Sequence, residues 1–301
     1  MEEINKDILI FYDNSIEFFR THFSNKGFRA VSIYRKSSIF SKVIKVILRY
    51  FKLSQAYWYD DWKKGLSSIK TVIFFAPQKR TCAVRYIKKT NKNIRIIYWY
   101  WNPAFRSGIP SSYLSNTTEL WSFDPDDCLK YNMRFNTTFF FDDILLPNNT
   151  IEFDAVFIGI NKGRKDSLNK LEIDLNKSGL RTYFHIVPDK NESSRKNCRE
   201  IPYEEYLGLV SKAKAIVDVK PIGQSGLTLR PMESTFFKKK LITNDVSIVS
   251  QDFYHPENVF IIGRDNKQYL KKFIDSPFKE LDPSIVKNYD VSSWVERFSV
   301  K

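Results

Sequence analysis

Cysteine, histidine and glycine are scarce in this chain, and each scarcity closes off a class of protein. Three cysteines (Cys82, Cys128, Cys198) in 301 residues lie far apart with no CxxC spacing, so neither a disulfide framework nor a thiolate zinc site is expected. A reducing compartment fits that usage. Histidines stand only at 22, 185 and 255, which leaves no His-based metal cluster, and His22 within a predicted helix reads as structural. Ten glycines and twelve prolines exclude collagen-like and low-complexity chains. Long apolar runs are missing too. The longest, near 94–101, falls far short of the roughly 20 residues that a bilayer crossing needs. The acidic start MEEINKDILIFYD does not read as a secretory signal, so a cytoplasmic protein is expected, peripheral on the inner membrane where it touches lipid.

Hydrophobic residues make up 43% and aromatics 16%, ample for packed cores, and the length implies two domains. The formal charge is +14, which favours an anionic partner without fixing a fold. Residues 1–148 hold 23 basic and 13 acidic side chains, the remainder 25 and 21, so the first half carries most of the positive field.

Short apolar runs alternate with longer amphipathic ones. Strands are predicted at 7–13, 30–34, 71–77, 94–101 and 120–124, with helices after the first, third and fifth. After the turn-rich Leu146–Thr150 the rhythm restarts, with strands at 153–159, 180–187, 215–219, 240–243 and 259–263. Helices are predicted between them at 163–177, 203–214 and 227–237, and a helical tail over 268–298. Strand–helix alternation implies crossover connections and parallel sheets, so the fold class is α/β with two Rossmann-like domains, 1–148 and 149–301.

The richest stretch for chemistry is Asp218–Glu233. A buried strand ends at Val219, a loop with Gly223 and Gly226 follows, and a helix is predicted from near Ser225. A helix start at the carboxyl end of a parallel strand aims N–H groups and a positive dipole end at a bound diphosphate. Gly223, Gln224, Ser225, Gly226 and Thr228 are therefore donor-binding candidates. Arg230 adds a planar cationic fork, and Glu233 an acceptor for ribose hydroxyls. The loop after the first strand of the same half brings Arg164 and Lys165 toward the same place. Read without function, the stretch is an ordinary strand–helix turn, and Arg164 and Lys165 are solvated charge at a helix start.

The run QSGLTLRPMESTFFKKKLITND resembles the donor-binding segment of GT-B-type glycosyltransferases. FYHPENVFIIG and SFDPDDCLKYNM resemble the lipopolysaccharide and capsule (O-antigen or core) enzymes of bacteria. The resemblance implies two Rossmann-like domains facing a central cleft and transfer of a sugar from a nucleotide-sugar to a glycan or lipid-linked acceptor. It further implies that Glu233 holds the donor ribose, Gly223–Thr228 the diphosphate and Arg164 the phosphates. The nucleotide-sugar is substrate, so no cofactor is expected.

Asp124-Pro-Asp126-Asp127 contains a DxD pattern, but Asp124 suits an N-cap and Pro125 the first helical turn, so no catalytic metal is expected. A proton acceptor for the acceptor hydroxyl belongs on the loops after the first-domain strands. Asp13, Asn14, Asp60, Asp61 and Asn102 are eligible there, and Asp13 and Asn102 are the candidate catalytic residues. Residues 35–64 interleave Lys42, Lys45, Arg49 and Lys52 with Phe40, Val43, Ile44, Ile47 and Phe51 at helical spacing, and Tyr57-Trp58-Tyr59 follow. This segment fits either a core-facing helix with a basic rim or contact with an anionic membrane. A nucleic-acid-binding role is the competing reading of the charge, yet no such module is recognisable. A dinucleotide oxidoreductase lacks its GxGxxG fingerprint.

Overall fold

A computed structural model describes residues 6–12, 17–35, 39–51, 53–76 and 80–299. By packing, the chain divides into two compact units at Asn136/Thr137. The first unit orders its elements as β1 (Ile8–Tyr12), α1 (Glu17–Asn25), β2 (Arg29–Ser32), α2 (Ile39–Tyr50), β3 (Thr71–Phe75) and α3 (Thr81–Thr90). They continue as β4 (Arg95–Tyr100), α4 (Ala104–Ser107), α5 (Ser112–Thr117), β5 (Glu119–Ser122), α6 (Pro125–Tyr131) and β6 (Arg134–Phe135). The strands form one parallel sheet, β2-β1-β3-β4-β5-β6, in which Ile10 pairs with Ile73 and Ile73 with Ile97.

Near-continuous apolar strands such as ILIFY and RIIYWY are what a sheet covered on both faces requires. One face presents Leu9, Phe11, Val72, Phe74, Ile96 and Tyr98 to Trp62, Leu66, Val84 and Ile87. Trp62 is 1% exposed, meets Phe11 edge-on at 4.8 Å, and donates its indole N–H to the Ile33 carbonyl at 2.8 Å. Tyr59, of the Tyr57-Trp58-Tyr59 run, packs 5.1 Å from Trp62 in this core.

The second unit contains β7 (Phe153–Ile160), α7 (Lys165–Lys177), β8 (Thr182–Val187), α8 (Tyr203–Ser211), β9 (Ala213–Asp218), α9 (Arg230–Phe237) and β10 (Lys240–Thr243). They are followed by β11 (Val259–Ile261), α10 (Leu270–Asp275), α11 (Pro283–Asn288) and α12 (Val291–Arg297). Its sheet is parallel in the order β11-β10-β9-β7-β8. Ala155, Phe157, Val217, Ile242 and Phe260 pack on Leu168, Leu171, Leu175, Leu270 and Ile274.

Three sequence expectations change. The boundary moves ahead of residue 148 because 137–141 belong to the second unit. There Phe139 lies 4.3 Å from Trp294, and Phe140 exchanges main-chain hydrogen bonds with Tyr289 and Val291. The helix expected from Ser225 or Leu227 begins at Arg230, with Pro231 in its first turn, where a missing N–H costs nothing. The helical tail is broken into three short helices; Asp282 and Asp290 cap the last two.

Candidate functional site

In the second unit β8 lies on one side of β7 and β9 on the other. Loops leaving the carboxyl ends of strands that diverge in this way open a crevice, where ligands bind in open parallel sheets. The two loops here are 160–164 and 219–229, and they touch. A Cβ added to Gly163 would sit 3.7 Å from Ile222 Cδ1.

The first loop is an anion seat. Lys162 and Gly163 both adopt positive φ, 49° and 79°, so their consecutive amides point the same way and form a nest. Those amides donate to the two carboxylate oxygens of Asp189 at 3.0 and 3.2 Å. Asn161 Oδ1 accepts from the amides of Arg164 and Lys165 at 2.9 and 2.7 Å, which starts α7. Glu192 accepts from Asn161 and from the Asp189 amide, and these bonds hold its carboxyl below the usual range. The protein's own carboxylate thus occupies a place shaped for a small anion.

The second loop is fixed from below. Lys220 Nζ bonds Asp245 at 2.6 Å and the Ser225 carbonyl at 2.9 Å. Gly223 and Ile222 are exposed, Gln224, Ser225 and Thr228 half-buried and Gly226 buried. Gln224 Nε2 donates to the Gly226 carbonyl at 3.1 Å, and Thr228 Oγ1 accepts from the Arg230 amide at 3.3 Å.

Beneath the loops lies a buried set of charges. Arg164 and Arg230 both approach the Phe157 ring, at 5.0 and 4.7 Å. Arg164, 4% exposed, donates to the carbonyls of Val219 and Ile160 and ties the two loops together. Arg230 donates to the Ile158 carbonyl at 2.5 Å and stands 3.7 Å from the buried Asp218 carboxylate. Gly159 leaves it room, since a Cβ there would lie 2.5 Å from the guanidinium. Glu233 is 2% exposed, and its oxygens accept from the Tyr203 phenol at 2.8 Å and from the Tyr206 phenol. Burial pushes its carboxyl up, against the two phenols and Arg230.

The structure therefore brings Arg164, the 223–228 loop and Arg230 to one crevice, but turns both guanidinium groups inward. Lys165 is exposed at the start of α7. The helix start expected near Ser225 is absent, and the oriented amides sit on the other loop. Sequence reasoning missed Asp189, Asp218, Tyr203 and Tyr206. Asp218 had a signal, since a carboxylate closing a buried strand demands a partner; Tyr203 and Tyr206, three apart, share one helical face.

In the first unit Asn102 follows β4 half-buried, its carbonyl accepting from Ser107 Oγ at 3.3 Å. Asp13 and Asn14 lie outside the described residues. Asp60 accepts from the Asp61 amide, and Asp61 pairs with Lys64 at 2.8 Å. Asp124 caps α6 by accepting from the amides of Asp126 and Asp127, and Asp127 accepts from the Ala104 amide at 2.6 Å. Among the described residues no group of three His, Cys, Asp or Glu side chains could hold a metal ion.

Two all-parallel α/β units with this arrangement constitute the GT-B glycosyltransferase fold. The chain is similar to sucrose-phosphate synthase from Thermosynechococcus elongatus, with 97% of each chain covered, a TM-score of 0.57 and 9% identity. It is also similar to the lipopolysaccharide outer core galactosyltransferase WaaB in its apo form. That match covers 97% of this chain and 98% of that one, with a TM-score of 0.51 and 12% identity. At such identities the likeness is one of fold. No family model matches the chain, and no curated protein matches it in sequence.

Proposed function

We propose that the chain is a glycosyltransferase that moves a sugar from a nucleotide-sugar to a lipid-linked or polysaccharide acceptor in cell-surface glycan assembly, of lipopolysaccharide or capsule. It works on the cytoplasmic side, with no cofactor, no catalytic metal and no nucleic-acid partner. The observation that carries the reading is the amide nest at the β7/β9 crevice with a carboxylate already seated in it. A donor diphosphate has the same charge sign and acceptor geometry and takes that seat from Asp189. Lys165 lies at its rim, and Gly223, Gln224, Ser225, Gly226 and Thr228 close over it from the facing loop. Fixed amide dipoles and the inward cations Arg164 and Arg230 then neutralise charge that grows on the leaving diphosphate, where stabilisation speeds transfer. Glu233 receives the ribose hydroxyls once Tyr203 yields its bond. On the acceptor side Asp13 takes the hydroxyl proton and Asn102 orients the acceptor by hydrogen bonding.

Slow background hydrolysis of a panel of nucleotide-sugars tests the reading without knowledge of the acceptor. One donor class should be cleaved, and Gly163→Val, which spoils the left-handed turn and the nest, should reduce cleavage at least tenfold. Absence of both hydrolysis and nucleotide binding across the panel overturns it.

A further inference from the structure

The helix α2 is seated the wrong way round for a water-soluble surface. Around its axis Phe40, Val43, Ile44, Ile47, Tyr50 and Phe51 share one arc, while Lys42, Lys45 and Arg49 occupy the opposite one. A helix on a globular core buries the first arc and solvates the second. Here Phe40 is 83% exposed, Tyr50 82% and Phe51 64%, and Val43, Ile44, Val46, Ile47 and Leu53 are exposed as well. Lys45 is half-buried with its ammonium 4.7 Å over the Tyr34 ring, and its carbonyl accepts from buried Gln55, which in turn accepts from Tyr34. Scattered exposed apolar residues are ordinary; eight within fourteen positions form a patch that marks a contact surface.

We infer that the outer face of α2 docks on an anionic lipid bilayer, lying in its interface. Charge selects this occupant. From Arg35 to Tyr59 the sequence has six basic residues and no acidic one. Anionic headgroups neutralise such a strip, whereas a second copy of the chain would set it against itself. Length fixes the mode. Twelve helical residues reach about 18 Å, too short to cross ~30 Å of hydrocarbon. No helix among the described residues is long and apolar enough to cross a membrane. Tyr57, 73% exposed beside the Arg35 guanidinium at 4.8 Å, supplies an amphipathic ring at the rim. The surface does not depend on the donor crevice, so its test needs no nucleotide-sugar.

Flotation of the full chain with vesicles is the experiment. The protein should bind vesicles containing phosphatidylglycerol at least tenfold better than pure phosphatidylcholine, and lose most of that preference in high salt. Phe40→Ser combined with Ile47→Ser should lower binding tenfold or more with unchanged circular dichroism and thermal melting. Phe40→Trp should keep binding and shift its emission to the blue on vesicles. Failure of the wild type to float, or equal flotation of the serine variant, overturns the inference. So does a wild-type dimer in sedimentation that the serine variant makes monomeric while vesicles capture neither.

Discussion

The first unit has a net excess of twelve positive charges and keeps apolar side chains of α2 in the open, while the second, with an excess of two, folds its important cations inward. Arg164 and Lys240 are buried in the second unit, and Lys220 and Arg230 nearly so, each bound to carbonyls or a carboxylate. Burial lowers the Lys240 ammonium below its ordinary range. The corresponding buried cation of the first unit is Arg80, which donates to the Phe11 carbonyl at 3.1 Å. A high surface charge therefore does not locate an anion site. The seat shaped for an anion lies in the less basic unit and consists of main-chain amides, whereas the basic half shows its charge beside an apolar face.

The contrast breaks most visibly through the buried pair. Arg230→Met leaves Asp218 uncompensated in the core, and urea denaturation should register a loss of about 3 kcal/mol or more. Arg80→Met leaves a carbonyl without this donor, for which about 1 kcal/mol is expected. Equal losses would abolish the distinction between the units.

Glu233→Gln sharpens the role of the second unit. Nucleotide affinity should fall about tenfold by calorimetry, the weight of one charge-assisted hydrogen bond. The same variant carries a pH signature. A carboxyl pushed up by burial binds its proton more tightly folded than unfolded, so native stability declines as pH rises from the ordinary value of 4.5 toward the raised folded one. The melting temperature of the glutamine variant should gain on the wild type over that window; a constant difference would show that Glu233 titrates normally.

Smaller effects follow in the caps and at the start of β7. Asp124→Ala should cost the first unit about 1 kcal/mol as a lost N-cap and leave donor hydrolysis unchanged, with or without a chelator. A fall in hydrolysis that added divalent metal restores would return the DxD reading. Asp154 behaves oppositely to Glu233. The Arg181 amide and Lys214 at 2.9 Å hold its carboxyl low, so its contribution is present above pH 3.8 and lost as pH falls through the lower folded value. Asp154→Asn should make acid unfolding less steep, the smallest of these shifts.

Much of the fold was legible because it rests on local pattern. Runs such as ILIFY, TVIFF and FDAVFIG have no polar face to offer water, so they become central parallel strands, and the segments between them have helical period. Asp124 before Pro125 announced its cap for the same local reason. The short helices at 104–117 were not legible, since Gly108 and Pro110 interrupt any period before it repeats. Of the candidate site, the two loops could be read from their glycines, but the orientation of their cations could not. Arg164 and Arg230 look identical in sequence whether they face a phosphate or a carbonyl.

By itself the amino-acid order determined two α/β units, their parallel strands, the 160–164 and 219–229 loops, and the amphipathic character of residues 39–51. Those properties follow from side-chain period and backbone preference over a few neighbouring residues. Only the tertiary structure decided that Asp189 sits on the amide nest, that Tyr203 and Tyr206 close over Glu233, and that α2 turns its apolar arc outward. Each of these depends on which distant groups share a buried volume, where an unpaired charge or amide is too costly to leave and the nearest available partner takes it.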